Sequence, residues 1–464
     1  MQNENRFEGL ARFIEENQAK WNIPGLAAGV LHKGQMSTAG FGVTNVEHPL
    51  SVTDDTLFQI GSVTKTYVGT AIMRLVEMGR LEVDATVQTY LPDFKVADET
   101  ASTQATLRHL LTHTCGWVGD YFHGTGSGDD ALARYVADMA TLEQLAPVGT
   151  TFSYNNAAFS VLGRIIEEIT GKTFEDALHK LVLEPLGLEN SYLEPADVMT
   201  HRFVVGHYED DGGLQVARPW PMERSNRPMG ALVCHIKDLL HYARFHLGDG
   251  SIEDGTRVLS IDSLAQMHSP QTTIWENEHW GLGWEVSQVA GECQVSHSGG
   301  TNGQICNLTL FPDHDFAVAI LTNSQQGGVA ARAVTNDALK RYLGLDIPEP
   351  EAMEVAEDEL AAYAGFYSRP FCELELGVLA GKLVCILTNK KGFPDEESPP
   401  EPSPPPMTMA LCEKDRLLVM DGPYKGTKAD IVRQADGSIG WLRVGGRIHS
   451  LQESSELKNE RRNP

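Results

Sequence analysis

The sequence predicts an α/β (α+β) fold: an antiparallel sheet flanked by helices, a mainly helical lobe, and then a small all-β barrel. Three observations carry this. Strand-like segments stand at both ends of the first 345 of 464 residues, with helical fragments between them. Residues 346–359 (DIPEPEAMEVAEDE) hold seven acidic side chains, two prolines and no base, the composition of a solvated linker. From residue 360 the texture changes to short alternating strands.

Taken in order, residues 7–20 have helical spacing, with Phe7, Leu10, Phe13 and Ile14 on one face. Residues 26–42 read as a hairpin turning at Lys33-Gly34. Residues 62–79 form a helix with a Val68, Ile72, Leu75 and Val76 stripe, capped by Gly79. Residues 100–290 are mostly helical fragments and loops. Strands return at 295–300, 304–311 and 316–323, with Pro312–Asp315 as the second turn, and a helix follows at 330–343. Placing both ends in one sheet leaves the middle as a separate lobe, and a cleft between lobes suits a site. The predicted domains are therefore 1–345, the 346–359 linker, and a 360–464 barrel interrupted at 394–406 by seven prolines in thirteen residues.

Charge narrows the function. The 37 basic and 63 acidic side chains give a net of −26, which argues against nucleic acid and anionic membrane as partners. Residues 1–345 carry −19 of this, the linker −7, and the final 105 residues are neutral. Seven widely spaced cysteines with no CxxC suggest neither a disulfide framework nor a zinc site. No signal peptide or membrane span is read at the start, so the expectation is a cytoplasmic protein. No cofactor or metal motif stands out. GxSxG and HExxH are absent, and Gly124–Gly128 lacks the GK[ST] ending of a phosphate loop.

Three short segments could carry chemistry. Ser62 and Lys65 are one helical turn apart, so hydroxyl and amine can meet. A helix N-terminus favours an alkoxide and disfavours an ammonium, which makes a nucleophile and base. The same residues also suit an ordinary N-cap, and Ser455–Lys458 repeats the spacing in a polar tail. Tyr154 and Asn156 can point the same way from an extended stretch, the phenol as a proton shuttle if a lysine lowers its pKa, the amide as a carbonyl holder. His297-Ser298-Gly299-Gly300 runs off a strand, its glycines letting substrate approach backbone N–H groups.

The order SxxK, YxN, HxG resembles the serine β-lactamase and penicillin-binding-protein superfamily, closest to the class C-type β-lactamase-related hydrolases that include esterases and D-amino-acid peptidases. Leu110–Gly116 (LLTHTCG), Pro228–Val233 and Gly281-Leu282-Gly283-Trp284, the last expected as a strand, are similar to further motifs of that branch. The resemblance spans about residues 10–345. It implies that Ser62 forms an acyl-enzyme, that Lys65 and Tyr154 handle its proton, that Asn156 holds the acyl group, and that the backbone N–H groups of Ser62 and Gly300 form the oxyanion hole. Class C β-lactamases have Lys-Thr-Gly where this chain has His297-Ser298-Gly299, a weaker anion site. That shifts the expectation from β-lactam or D,D-peptide cleavage toward esters and short peptides or amides. Acyl transfer, a silent ligand-binding protein and a homo-oligomer stay open. Leu360–Tyr367 resembles the start of the lipocalin-like barrel appended to several members.

Overall fold

Strands Gly25–His32 and Gln35–Gly42 pair with each other around Lys33-Gly34, both at positive φ (52° and 74°), and the first also pairs with Phe316–Thr322 from 290 residues further on. This is a computed structural model, and it describes residues 2–452 apart from 211, 395–397, 401 and 423. The first strand is buried throughout because both sheet faces are covered. Leu26, Ala28 and Val30 meet helices Gln2–Gln18 and Gly327–Leu343 through Leu10, Ile14 and Val334. Ala27 and Leu31 face the opposite way, toward helix Ile236–Leu247. Gly29 completes that second face, where a Cβ would stand 2.6 Å from Leu240. The alternation is the period of two that a strand imposes.

The sheet has eight antiparallel strands, three more than the sequence predicts. Glu292–Thr301 and Gln304–Phe311 continue it as expected, and Glu285–Val289, Glu278–Trp280 and Thr272–Trp275 extend the edge. Residues 281–284 are a bend, not the expected strand. Gly283 sits at φ 83°, and a Cβ at Gly281 would lie 2.1 Å from the Met267 carbonyl, so both glycines serve a tight passage. His297–Gly300 lie inside strand Glu292–Thr301, as the strand expected at 295–300 implies, and the strand runs on to Thr301.

Across the covered face runs Thr64–Glu77, preceded by a 3-10 turn at Gly61–Val63. Every residue from Thr64 to Met73 is buried, so this helix is the centre of the first domain rather than a half-exposed stripe. Helix Ala157–Thr170 packs against it from the lobe.

From Gly344 to Ala356 the chain carries neither helix nor strand. A closed eight-stranded antiparallel barrel follows, Gly365–Arg369 to Arg447–Leu451, sealed where Tyr367 pairs with Leu451. Its core includes Tyr367, Leu374, Leu383, Leu417 and Leu442. Met407–Glu413 and Arg447–Leu451 are strands the sequence pattern did not suggest. The proline-rich stretch joins Lys382–Asn389 to Met407–Glu413; its residues 395–397 and 401, like Ser455–Lys458, lie outside the described residues.

The barrel docks on the first domain by specific bonds. Trp441 Nε1 donates to the Leu145 carbonyl (3.0 Å), Trp275 Nε1 donates to Glu413 (2.6 Å), and Arg416 pairs with Glu278. Among the described residues, no helix is long and apolar enough to cross a membrane. Ile72 is fully buried on the central helix whereas Met78, just past its end, is half exposed. Ile72→Ala is expected to lower unfolding free energy by about 2–5 kcal/mol, and Met78→Ala by less than about 0.5 kcal/mol, in urea titrations.

Candidate active site

Gly61 turns the chain into the central helix at φ 53°. Strand Glu292–Thr301 lies directly against that turn: a Cβ on Gly61 would be 2.5 Å from Gly300 N, and one on Gly299 would be 2.8 Å from Ser62 N. Glycine at 61 and 299 is therefore what lets two backbones approach, and the approach brings the Ser62 and Gly300 amides close to each other. Two donors so gathered can serve an oxyanion.

Ser62 does not act as a helix cap. Neither Ile60 nor Val63, the residues at the cap positions, makes a side-chain cap bond, and the Ser62 hydroxyl is instead hydrogen-bonded to the Lys65 amine at 3.1 Å. Lys65 is fully buried, its Nζ also donating to the Met229 carbonyl. The amine lies 5.1 Å from the centre of the Tyr154 ring and 5.4 Å from that of Phe159. Burial pushes its pKa well below the ordinary lysine value, with the nearby Arg447 charge adding to the shift. An amine held neutral beside a hydroxyl can take its proton.

Residues 151–156 approach as an irregular stretch ahead of helix Ala157–Thr170. The Leu110–Gly116 segment scaffolds it. Ser153 N donates to the His113 carbonyl (2.9 Å), Asn155 N to His113 Nδ1 (2.9 Å) and Asn155 Nδ2 to the Trp117 carbonyl (2.7 Å). Cys115 is buried in this scaffold and its thiol is pushed up by burial.

Tyr154 differs from the expectation of a phenol lowered by lysine. Burial beside His113 and Trp280 raises its pKa above the ordinary value; Arg447 and the Ser62 hydroxyl draw it down, but less. Tyr154 is thus a neutral phenol, and its buried hydroxyl makes no hydrogen bond of ordinary geometry. Asn156 Nδ2 donates to Asp120 at 2.7 Å.

His297 faces the same interior, 5.4 Å from Trp280 between ring centres. Its Nδ1 donates to the Ser298 carbonyl (2.6 Å), which fixes the tautomer and leaves Nε2 bare and buried without a partner. Burial, helped by Lys65, pushes its pKa down to about 3, so it is a neutral acceptor across the physiological range. Ser298 alternates to the exposed side of the strand, away from the buried side chains of the cluster. The structure thus brings together Ser62, Lys65, Tyr154, Asn156, His297, Gly299 and Gly300.

Sequence reasoning missed Asp120, Arg369 and Arg447. The Arg447 guanidinium, from the barrel, lies 4.5 Å from the Tyr154 ring centre, and Tyr154 N donates to the Gly446 carbonyl (2.8 Å). Its one sequence signal is the Gly445-Gly446 pair before it, both at positive φ. Among the described residues, no group of three or more His, Cys, Asp or Glu is arranged to hold a metal.

Comparison with known proteins agrees with this geometry. Over 360 residues the chain is 36% identical to "Penicillin-binding protein 4" of Amycolatopsis lactamdurans, covering 75% of this chain and 94% of that protein. It is 26% identical over 334 residues to "Unguisins hydrolase ungD'" of Aspergillus campestris, covering 68% and 61%. The crystal structure of SurE superposes with a TM-score of 0.74 at 25% identity, over 97% of this chain and all of that one, and SurE has also been solved with D-Leu. A class C β-lactamase from Rhodobacter sphaeroides shares the fold over 72% of this chain and 99% of its own, with a TM-score of 0.60 at 24% identity. The family model described as Beta-lactamase matches residues 10–341, and the chain belongs to that family of serine hydrolases.

Proposed function

We propose that the protein is an acyl hydrolase that works through a covalent ester on Ser62 and acts on small esters or short peptides and amides. The observation that carries this is the 3.1 Å bond between the Ser62 hydroxyl and a fully buried Lys65 amine. In the first half-reaction Ser62 Oγ attacks the substrate carbonyl carbon and its proton passes to Lys65 Nζ. The carbonyl oxygen becomes an oxyanion facing the Ser62 and Gly300 amides. Collapse breaks the bond to the leaving alcohol or amine, which takes a proton relayed through the Tyr154 phenol. Water then repeats the sequence on the acyl-Ser62 ester, its proton going to Lys65, and the acid leaves with Ser62 restored. Asn156 holds the acyl amide or carbonyl. A phenol that stays protonated suits relay and donation rather than a standing phenolate.

Two observations favour peptides and esters over β-lactams. His297, at the position of the class C lysine, is a neutral acceptor and offers a carboxylate no cation. The SurE fold was solved with D-Leu, an amino acid, which supports peptide-type acyl groups here as a reading by likeness. Transfer to an amine or alcohol shares the same acyl-enzyme. A homo-oligomer is a reading by likeness, motivated by a penicillin-binding protein homologue from Pyrococcus abyssi that shares the fold and is octameric. A silent binding protein is disfavoured because Ser62, Lys65, Tyr154 and Asn156 are all present in one place.

Ser62→Ala is expected to abolish both p-nitrophenyl acetate turnover and fluorophosphonate labelling, read by gel fluorescence; survival of either contradicts the assignment. A lowered Lys65 pKa keeps the amine in its basic form to lower pH, and that form is lost only as pH falls through the depressed value. The acylation rate is therefore expected to show no rise toward the ordinary lysine pKa of about 10.4. A stopped-flow profile rising through that value would show a cationic lysine. Likewise, KM for a cephalosporin is expected to show no inflection at pH 5–8 that His297→Gln removes, because His297 stays neutral throughout.

A further inference from the structure

Asp120 joins the two domains at the catalytic cleft. Its side chain is 5% exposed. One carboxylate oxygen accepts Asn156 Nδ2 at 2.7 Å. The other accepts Arg369 Nη1 at 2.6 Å and lies 3.4 Å from Arg447 Nε. Both arginines belong to the barrel, Arg369 at the end of strand Gly365–Arg369 and Arg447 at the start of Arg447–Leu451.

A carboxylate only accepts hydrogen bonds, so it selects the NH2 end of the Asn156 amide and turns the carbonyl end away. The remaining Asn156 oxygen is then fixed as an acceptor for a substrate N–H or for the lysine. Burial pushes the Asp120 pKa up, but Arg447, Arg369 and the Asn156 bond outweigh it and hold the group below the usual carboxylate range. Without the arginines the same group would be a buried, unpaired charge, which proteins avoid by neutralising or expelling it.

The surroundings leave Asp120 little freedom. Asn156 N and Ala157 N both donate to the neighbouring Gly119 carbonyl (3.1 and 2.9 Å), and a Cβ at Gly119 would stand 2.6 Å from the Tyr154 carbonyl oxygen. From the barrel side Ile448 N donates to Ser153 Oγ (3.3 Å). The cavity at this seam, lined by Asp120, Tyr154, Arg369 and Arg447 among others, measures about 10 Å³, about the room a single water needs.

We propose that Asp120 is a positioning residue that sets the Asn156 amide for catalysis, and that Arg369 and Arg447 of the barrel hold it there, so that the barrel completes the hydrolase site. This rests on the acyl-Ser62 reading. The loop beside the YxN segment supplies the carboxylate and the distant barrel supplies its counter-charge. Neither half is self-sufficient: the amide needs an acceptor to choose its orientation, and the acceptor needs cations to stay buried.

The test compares two esters. p-Nitrophenyl N-acetyl-D-leucinate carries an acyl amide for Asn156 to orient, and p-nitrophenyl acetate carries none. Asp120→Asn, which presents either end of an amide to Asn156, is expected to lower kcat on the first ester about 100-fold with KM changed less than threefold, and kcat on the acetate much less. Arg369→Gln, the second variant should the first fail to fold, is expected to show the same split, and the double variant to be no worse than the weaker single one. Equal losses on both esters, additive losses in the double variant, or wild-type kcat in folded Asp120→Asn overturn the proposal. Fluorophosphonate labelling of the wild-type protein is read in parallel: its absence counts against acyl-Ser62 itself, whereas labelling with no ester split counts against Asp120 alone.

Discussion

A lysine amine enclosed in protein is costly to charge, and this molecule places one 3.1 Å from a serine hydroxyl. The rest of the first domain follows from keeping that amine dry and that hydroxyl reachable. The central helix is buried from Thr64 to Met73, so its backbone cannot shift to let water reach Lys65. The strand carrying Gly299 and Gly300 is pressed onto the turn at Gly61 with no side chain between them, so the Gly300 amide stands close to the turn that carries the hydroxyl. Met229, arriving from the helical lobe, accepts the amine's other hydrogen bond.

The same dryness governs the other titratable groups. Tyr154 is pushed up and His113 and His297 are pushed down, each mainly by burial, so the cleft holds a phenol and two neutral imidazoles. Fixed charge enters only where it is compensated. Asp120 is matched by Arg369 and Arg447, and both matching cations come from another domain. The net charge of −26 is therefore a poor guide to the cleft, where barrel guanidinium groups stand against a single acidic partner.

What could be read from the sequence followed from the range of each interaction. The Ser62–Lys65 pair is local, one helical turn, and spacing alone brings its atoms together. The Gly25–His32 and Gln35–Gly42 hairpin was legible because its turn and alternation are local too. Tyr154, Asn156 and His297 were legible only through their order in a familiar family pattern, since nothing local brings residues 62, 154 and 297 together. Thr272–Trp275 and Glu278–Trp280 escaped notice because three or four residues carry too little alternation. Residues 281–284 were expected as a strand only through their resemblance to a family motif, and the positive φ at Gly283 bends them. Asp120 and Arg369 left no pattern, and Arg447 only the Gly445-Gly446 pair before it: their association depends on how the barrel docks, and that is set by contacts such as Trp441 with Leu145 across nearly 300 residues.

The central claim is that the hydroxyl beside the buried amine becomes covalently acylated during turnover. Rapid-quench intact-mass spectrometry with peptide mapping, on the wild-type protein turning over p-nitrophenyl N-acetyl-D-leucinate, tests it directly. A mass gain of one acyl group is expected, confined to the peptide that contains Ser62, that forms and then clears as substrate is exhausted. Steady product release with no acyl group on that peptide at any quench time, or an acyl group on a different residue, would contradict it.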